Sequence, residues 1–377
     1  MTGRIREGGR TRAIVYVGMS GGVDSSVAAA LLKEQGYHVV GVYMKNWSRD
    51  LPGMQCPWAD DLADAKRVAV KLGIDFKVFD FEKDYKDKVV DYMLAEFQAG
   101  RTPNPDIMCN QEVKFKLFYD VAREQGADFI ATGHYARTVR VTALEGDPRR
   151  AQRIEHVGGG EAGRPRTMLA LAADSNKDQT YFLYRISDEA LERTLFPIGH
   201  LKKPEVKRLA EQMGLHVAHK KESMGVCFVG EVGMRDFIKS YIQTEPGEIQ
   251  DADTHEVLGH HDGAILYTIG QRHGLNLGGG LPYYVTGKDV KKNVVYVSKN
   301  LNHANLWATE LELEDVMVRS KEYEQSLLVR LRHRAPLIPA RLAGNKLIFD
   351  APIKRPAPGQ SAVFYDGEIC LGGGIIK

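Results

Sequence analysis

Short apolar runs alternate with amphipathic stretches through the first third of the chain. Ala13–Gly18 is an apolar run closing on a glycine turn, and Ser25–Gln35 then carries helical spacing and stops at Gly36. His38–Met44 predicts a second strand. Ala59–Leu72 sets Leu62, Ala65, Val68, Ala69 and Leu72 on one helical face, with Gly73 as the stop. Ile74–Phe81 is strand-like, Tyr85–Gln98 and Val113–Gln125 are helical, and Asp128–Thr132 is strand-like again. Strands separated by single helices predict βαβ units and a parallel sheet covered on both faces. The expected fold is doubly wound α/β, with ligands at the carboxyl ends of its strands.

Beyond Thr138 the rhythm breaks. Thr138–Arg166 holds Gly158–Gly160, scattered arginines and little apolar periodicity, which predicts a mobile surface insertion. Order resumes with a strand over Met168–Ala172, a helix over Gln179–Arg185, and a helix from Pro204 to Met213 capped by Gly214. From about Lys220 the texture turns to glycines and short β runs. Ser361–Tyr365 and Glu368–Leu371 flank Asp366-Gly367, a two-residue hairpin signal. The expected division is a flexible basic arm over 1–12, a catalytic α/β domain over 13–219, a small linking domain over 220–285, and a β-barrel-like C-terminal domain over 286–377.

Composition narrows the class. At 377 residues the chain suits two or three domains, and 43% hydrophobic with 27% charged residues describes a globular protein with a core. Lysine and arginine total 51 against 49 acidic residues, a net +2, so any polyanion site is a local patch. No apolar run approaches a membrane span, and the arm with Arg4, Arg6, Arg10 and Arg12 has no hydrophobic stretch of a secretory signal. The four cysteines, Cys56, Cys109, Cys227 and Cys370, form no C-x-x-C pair. That excludes a disulfide scaffold and argues against structural zinc, so we expect no membrane, no metal site and a reducing cytoplasm.

Three segments carry candidate chemistry. Gly18-Met-Ser-Gly-Gly-Val-Asp-Ser-Ser26 joins a strand to a helix. Adjacent glycines let backbone curl around an anion while first-turn amides point at it. Ser20 and Ser25 add hydroxyls, and Asp24 suits Mg²⁺. The segment lacks the Lys-Ser/Thr ending of phosphoryl-transfer loops. Gly100-Arg-Thr-Pro-Asn-Pro-Asp-Ile-Met-Cys-Asn110 sets Cys109 just before the helix Val113–Gln125, with Pro103 and Pro105 holding the approach extended. A thiol at a helix start has its anion stabilised by exposed amides. Lys221-Glu-Ser-Met-Gly-Val-Cys-Phe-Val229 puts Cys227 in a glycine-flanked turn. For each lone cysteine the blander reading is a buried small hydrophobe. Cys56 and Cys370, with no motif around them, are read as structural. In Val329-Arg-Leu-Arg-His-Arg334, strand alternation would put Arg330, Arg332 and Arg334 on one face, either a solvated edge or a phosphate track.

Ser20-Gly-Gly-Val-Asp-Ser-Ser26 resembles the loop of the N-type ATP pyrophosphatases, which split ATP between its α and β phosphates. All three segments together resemble the tRNA-specific 2-thiouridylases, across roughly residues 12 to 377. Asn104-Pro-Asp106 before the first cysteine, with Lys177-Asp-Gln179 between the two, carries this likeness most specifically, and Pro358-Gly-Gln360 near the end is a further family-like segment. The resemblance implies that Gly18, Met19, Ser20, Gly21, Gly22, Val23, Asp24 and Ser25 bind ATP with Mg²⁺, and that Met44 and Gly133 contact the nucleotide. It implies that Asn104, Pro105 and Asp106 meet the target base, and that His134, Lys177, Asp178, Gln179, Arg332, His333 and Gln360 touch tRNA. Cys227 matches a persulfide carrier and Cys109 its catalytic partner. The implied partners are tRNA, read at the wobble uridine of the anticodon, and a persulfide donor such as a cysteine desulfurase or sulfur-relay protein. Glu222 replaces an expected aspartate, and His333 stands where an aromatic residue would be usual.

The chemistry suits those roles. Uracil C2 is a poor electrophile because its oxygen would leave as hydroxide, whereas adenylation makes AMP the leaving group. A persulfide then attacks C2, and a second thiol releases the sulfur by disulfide exchange. One rival is another pyrophosphatase of this kind, a ligase or amidotransferase acting on a small metabolite, which needs the loop but neither cysteine. Another is a tRNA-binding protein with a relic nucleotide loop. An iron–sulfur centre held by the two thiols and Asp106 falls short of a four-cysteine set.

Overall fold

The computed structural model describes residues 6–7, 10–50, 56–142, 152–153, 166–221, 233–278, 280–319 and 327–377. The chain forms two compact units: Met1–Val89 with Asp106–Glu231 and Gly367–Leu371, and Val90–Pro105 with Val232–Asp366 and Gly372–Lys377. The expected Lys221–Val229 turn with Cys227, and most of the Thr138–Arg166 insertion, lie outside the described residues.

The first unit is built on β1 (Ile14–Gly18), α1 (Val23–Glu34), β2 (His38–Lys45), α2 (Trp58–Leu72), β3 (Asp75–Asp80), β4 (Phe129–Thr132), β5 (Thr194–Leu195) and α3 (Lys203–Gln212). The strands form one parallel sheet in the order β5-β4-β1-β2-β3. Val15, Val17, Val27, Ala28, Leu32, Val68, Ala131, Val206 and Ala210 fill the core on one face, and Tyr16, pointing to the other, is buried too, so β1 is covered on both faces as a central parallel strand must be. Gly73 closes α2 at φ +59, a left-handed cap donating back to α2. The chain winds one way from β1 to β3 and the other way through β4 and β5. The switch point lies between β1 and β4, where a doubly wound sheet leaves its crevice.

Several expectations need correction. The helix carrying Cys109 begins at Pro105, not Val113: α-helical Pro105–Met108 runs into π-helical Cys109–Leu117 and then α-helical Phe118–Glu124. Pro105 sits in the first helical turn, where a missing N–H costs nothing. Gln179–Arg185 is only a 3₁₀ turn over Thr180–Phe182. The start of the insertion is ordered, since Arg137–Thr142 pairs antiparallel with Arg166–Ala170. Within the arm, Arg6–Glu7 pairs with Arg10–Thr11.

The second unit holds a four-stranded sheet of Gly247–Asp251, Val257–His261, Tyr284–Asp289 and Val294–Ser298 around Ile249, Tyr267, Val285, Val295 and Val297. Antiparallel strands Trp307–Val318, Leu327–Arg330, Ile338–Ala343, Lys346–Lys354 and Ser361–Asp366 follow, and Gly372–Ile376 pairs back to Trp307–Val318, giving the C-terminal β-barrel. The arginine stripe does not form. Its strand stops at Arg330, Leu331 and Arg332 bend, and Arg334 turns at φ +63. The C-terminal turn falls on Gly367 and Glu368, one residue later than expected.

Candidate nucleotide and thiol site

The glycine loop leaves β1 and enters α1 at the switch point. Gly22 is the N-cap of α1 and no side chain caps the helix. Among the described residues, the N–H groups of Gly21, Gly22, Val23 and Asp24 donate to no protein acceptor. Four open amides at a helix start form a concavity suited to an anion. The serines brace this curl. Ser25 Oγ accepts from the Ser20 N–H at 3.2 Å and lies 3.3 Å from Ser20 Oγ, while the Ser26 hydroxyl donates to the Gly22 carbonyl at 2.7 Å. Met19 points away, 1% exposed in the core.

Neighbouring backbone presses on the loop from two sides. Gly21 has φ +73, and a Cβ there would lie 2.3 Å from the Asp61 carbonyl oxygen. Gly133, just after β4, lies so close to the first turn of α1 that a Cβ would fall 2.5 Å from the Ser25 nitrogen. Met44 closes on Gly18, its methyl 2.9 Å from where a Cβ would stand. Gly18, Met44 and Gly133 thus converge on the loop.

Two lysines that the sequence reading missed complete this end. Lys203, in the first turn of α3 with a side chain 9% exposed, donates to both Asp24 carboxylate oxygens at 2.7 and 2.8 Å, and the Tyr135 hydroxyl donates to Asp24 at 2.9 Å. Lys220 donates to Asp61 at 2.8 Å, Asp64 at 2.7 Å and the Gly21 carbonyl at 3.2 Å. Burial works against the Lys220 charge, but the two carboxylates hold its pKa above the ordinary lysine value. Asp64, despite partial burial, is held below its usual value by Lys220 and by His216 at 3.0 Å.

A second cluster surrounds the helix of Cys109, a buried cysteine 3% exposed. Asn110 donates from Nδ2 to the Phe182 carbonyl at 3.0 Å, and its buried Oδ1 has no partner among the described residues. Burial raises the Asp106 pKa, with Lys114 opposing. Burial also drives the His134 pKa well below 6.5, with Lys114 adding to the shift. One ammonium therefore acts on both groups. His134 Nδ1 lies 2.8 Å from Thr132 Oγ1, and its ring is 5.7 Å from that of Phe115. Because Gly133 packs on α1, His134 belongs to the same crevice mouth as the glycine loop.

The other expected tRNA residues differ in placement. Asp178 is 2% exposed, its carboxylate accepting from the Ala172 N–H at 3.0 Å and the Thr180 hydroxyl at 2.8 Å. Gln179 accepts from the Tyr135 N–H at 2.9 Å. Both side chains are committed to holding the loops behind His134, while Lys177 is half-buried. In the second unit Asn104 is half-buried and Pro105 buried, Arg332 is exposed and His333 half-buried, and Gln360 donates to the Thr102 carbonyl at 2.7 Å. Cys370 is buried, and burial raises the Cys56 thiol pKa, as suits structural thiols.

Residues 13–231 match the family described as tRNA methyl transferase HUP domain, 235–299 the tRNA methyl transferase PRC-barrel domain, and 308–376 the aminomethyltransferase beta-barrel domain. The chain is 46% identical over 371 residues to tRNA-specific 2-thiouridylase MnmA 2 of Geobacillus kaustophilus (strain HTA426), covering 96% of this chain and 94% of that protein. It is 44% identical over 374 residues to tRNA-specific 2-thiouridylase MnmA of Streptococcus thermophilus (strain CNRZ 1066), with the same coverages. Among solved structures, NMN synthetase from Francisella tularensis aligns at 16% identity with TM-score 0.32, covering 56% of this chain and 66% of that one. A subunit described as a predicted tRNA methyltransferase component from Methanocaldococcus jannaschii aligns at 17% identity with TM-score 0.30, covering 53% and 76%. Neither structural likeness bears on function at that level.

Proposed function

The chain belongs to the tRNA-specific 2-thiouridylase family, and from that premise we propose that it is an ATP-dependent sulfurtransferase converting the wobble uridine of tRNA to 2-thiouridine. The observation that carries this reading is the set of four open amides at the sheet's switch point, on the same crevice mouth as His134 and its neighbour Phe115 from the Cys109 helix. A nucleotide loop and a motif thiol favour sulfur transfer over the methyl transfer of the family description, which needs neither.

In this reading the amides of Gly21 to Asp24 take the β and γ phosphates, where charge builds as pyrophosphate leaves. Lys203 supplies the cation that the loop lacks. Asp24, with its carboxylate 32% exposed, is the loop's acidic side chain and suits the magnesium ion that travels with ATP, which would screen the phosphate charge. Asp24 would hold that ion through the carboxylate that Lys203 and Tyr135 now bond, and Lys203 would add its positive charge beside the phosphates.

The target base must leave its stack to bring C2 beside the α phosphate. Burial makes Asp106 hold its proton more firmly than an ordinary carboxyl, and its side chain is the polar group this segment offers the base. The uridine O2 attacks the α phosphate and pyrophosphate departs. The terminal sulfur of a Cys227 persulfide then attacks C2, Cys109 attacks the inner sulfur, and AMP leaves with the former O2, giving 2-thiouridine and a Cys109–Cys227 disulfide. The C-terminal barrel is the proposed tRNA platform, and a cysteine desulfurase or relay protein the proposed sulfur source. No described helix is long and apolar enough to cross a membrane, and a cytoplasmic setting suits thiols that must be reduced each cycle.

The test is mass analysis of tRNA nucleosides with nucleotide products, after incubation with ATP, Mg²⁺ and a persulfide donor. We expect 2-thiouridine with AMP and pyrophosphate in equal amounts. ADP as product, or unmodified tRNA beside AMP release onto a metabolite, would overturn the reading.

A further inference from the structure

The Lys220 cluster belongs to neither the loop motif nor the thiol segments, yet it holds a main-chain atom of the loop. Its ammonium has three protons and three acceptors: Asp61 Oδ1, Asp64 Oδ2 and the Gly21 carbonyl. Asp61 and Asp64 stand in the first two turns of α2, and His216 with Arg67 fixes the remaining Asp64 oxygen at 3.0 and 3.3 Å. A surface ion pair would end there. Here the third bond reaches a glycine at φ +73, whose α-carbon already rests on the Asp61 carbonyl with no room for a Cβ.

A trans, planar peptide points its C=O and the next N–H in opposite directions. Fixing the Gly21 carbonyl on Lys220 therefore fixes the Gly22 N–H, which has no protein acceptor among the described residues, facing away from α2. We propose that Lys220 is a positioning residue: by holding the Gly21 carbonyl against α2 it aims the Gly22 amide at the β and γ phosphates of the bound nucleotide. It touches neither substrate nor reacting atoms. Without it the Gly21–Gly22 peptide can rotate, both flanking residues being glycines, and turn a carbonyl dipole toward the phosphates. The inference rests on the reading that this loop binds ATP.

The test measures equilibrium binding of inorganic pyrophosphate, ATP with Mg²⁺, AMP and tRNA to the full-length protein, with thermal unfolding of each variant. Losing one amide bond to a charged group should weaken pyrophosphate and ATP binding to Lys220→Met about tenfold or more, leaving AMP and tRNA within about twofold, since neither uses the aimed amide. Lys220→Arg keeps charge and donors and should bind pyrophosphate within about threefold of the wild type, which keeps the test open if Lys220→Met folds poorly. Wild-type pyrophosphate affinity in Lys220→Met, or equal weakening of all four ligands, would overturn the inference while leaving the proposed function standing. Failure of the wild type to bind ATP at all would remove the function reading and this inference with it.

Discussion

Replacing Gly133 by alanine offers a sharp test of the crevice, because the structure makes this residue, an expected nucleotide contact, a spacer between β4 and α1. An added Cβ would stand 2.5 Å from the Ser25 nitrogen and 2.8 Å from both the Asp24 carbonyl carbon and the Ser25 α-carbon. Ordinary contacts of that kind sit near 3.5 Å, so β4 and the first turn of α1 must part by about 1 Å. The obstructing atoms are all backbone, so no rotamer change relieves the clash. Overpacking of this kind costs about 1–3 kcal/mol, or roughly 1–4 °C in Tm for a chain of this size. The protein should therefore still fold. The same displacement moves the open amides of Gly22 to Asp24, and a 1 Å misplacement at a reacting site costs about 100-fold. Gly18→Ala is the control, since its nearest clash is the mobile methyl end of Met44 at 2.9 Å, which can swing aside. We expect Gly133→Ala to lose about two orders of magnitude in ATP-dependent AMP formation at a modest Tm cost, and Gly18→Ala to lose far less. Thermal unfolding with an AMP-release assay reads both. Wild-type activity in Gly133→Ala, or equal damage from the two substitutions, would refute the spacer argument.

His134, with its pKa held well below 6.5, favours its neutral form in the folded state; its contribution is present above pH 6.5 and lost as pH falls, at up to about 1.4 kcal/mol per unit. Unfolding followed from pH 7.5 to 5.5 should show His134→Gln less acid-sensitive than wild type, and identical slopes would sink the assignment; Asp106, shifted upward, acts in the opposite sense and is common to both proteins. Arg332 is exposed, so Arg332→Ala should lower the slope of log K for tRNA against log salt by roughly 0.7–0.9, whereas Arg330, its guanidinium 5.3 Å over the Tyr365 ring, should alter stability more than slope. An unchanged slope for Arg332→Ala would remove the barrel from the tRNA platform. In a single turnover without reductant, peptide mapping should find at most one thiouridine per enzyme together with a Cys109–Cys227 crosslink, and thiouridine with both thiols still free would exclude the two-cysteine route.

How far the sequence is legible depends on how local the deciding interaction is. The strand–loop–helix around Gly18–Ser26 and the cap at Gly73 follow from adjacent residues, and both stand where the pattern puts them. The Cys109 helix starts eight positions early because Pro103 and Pro105 signal an extended approach, while Pro105 is equally at home in a helix's first turn. Alternation suggested an arginine stripe, but the chain bends at Leu331, and alternation means nothing outside a strand. Lys203 and Lys220 carry no motif a short window could reveal. Their partners lie 179 positions away at Asp24 and 159 away at Asp61, and only the closed sheet brings them together.

The loop's own composition explains why so much of its neighbourhood is devoted to holding it. Two consecutive glycines give the backbone the freedom to curl around an anion, and the same freedom lets it uncurl. A glycine loop left to itself would lose much of its binding energy to ordering, and on the proposed reading its amides would meet the departing pyrophosphate already paired or misaimed. Preorganised dipoles help most when no reorganisation is left for the moment of reaction. Here the ordering is imposed from outside the motif: Asp61 and Lys220 seat Gly21, Gly133 abuts the first turn of α1, and the Ser20–Ser25 brace closes the curl. Anchors of that kind act on orientation and leave the ligand's chemistry to the loop. Substitutions at Lys220 or Gly133 should therefore change how tightly the triphosphate is held and how fast it reacts, without changing which bond of it is broken.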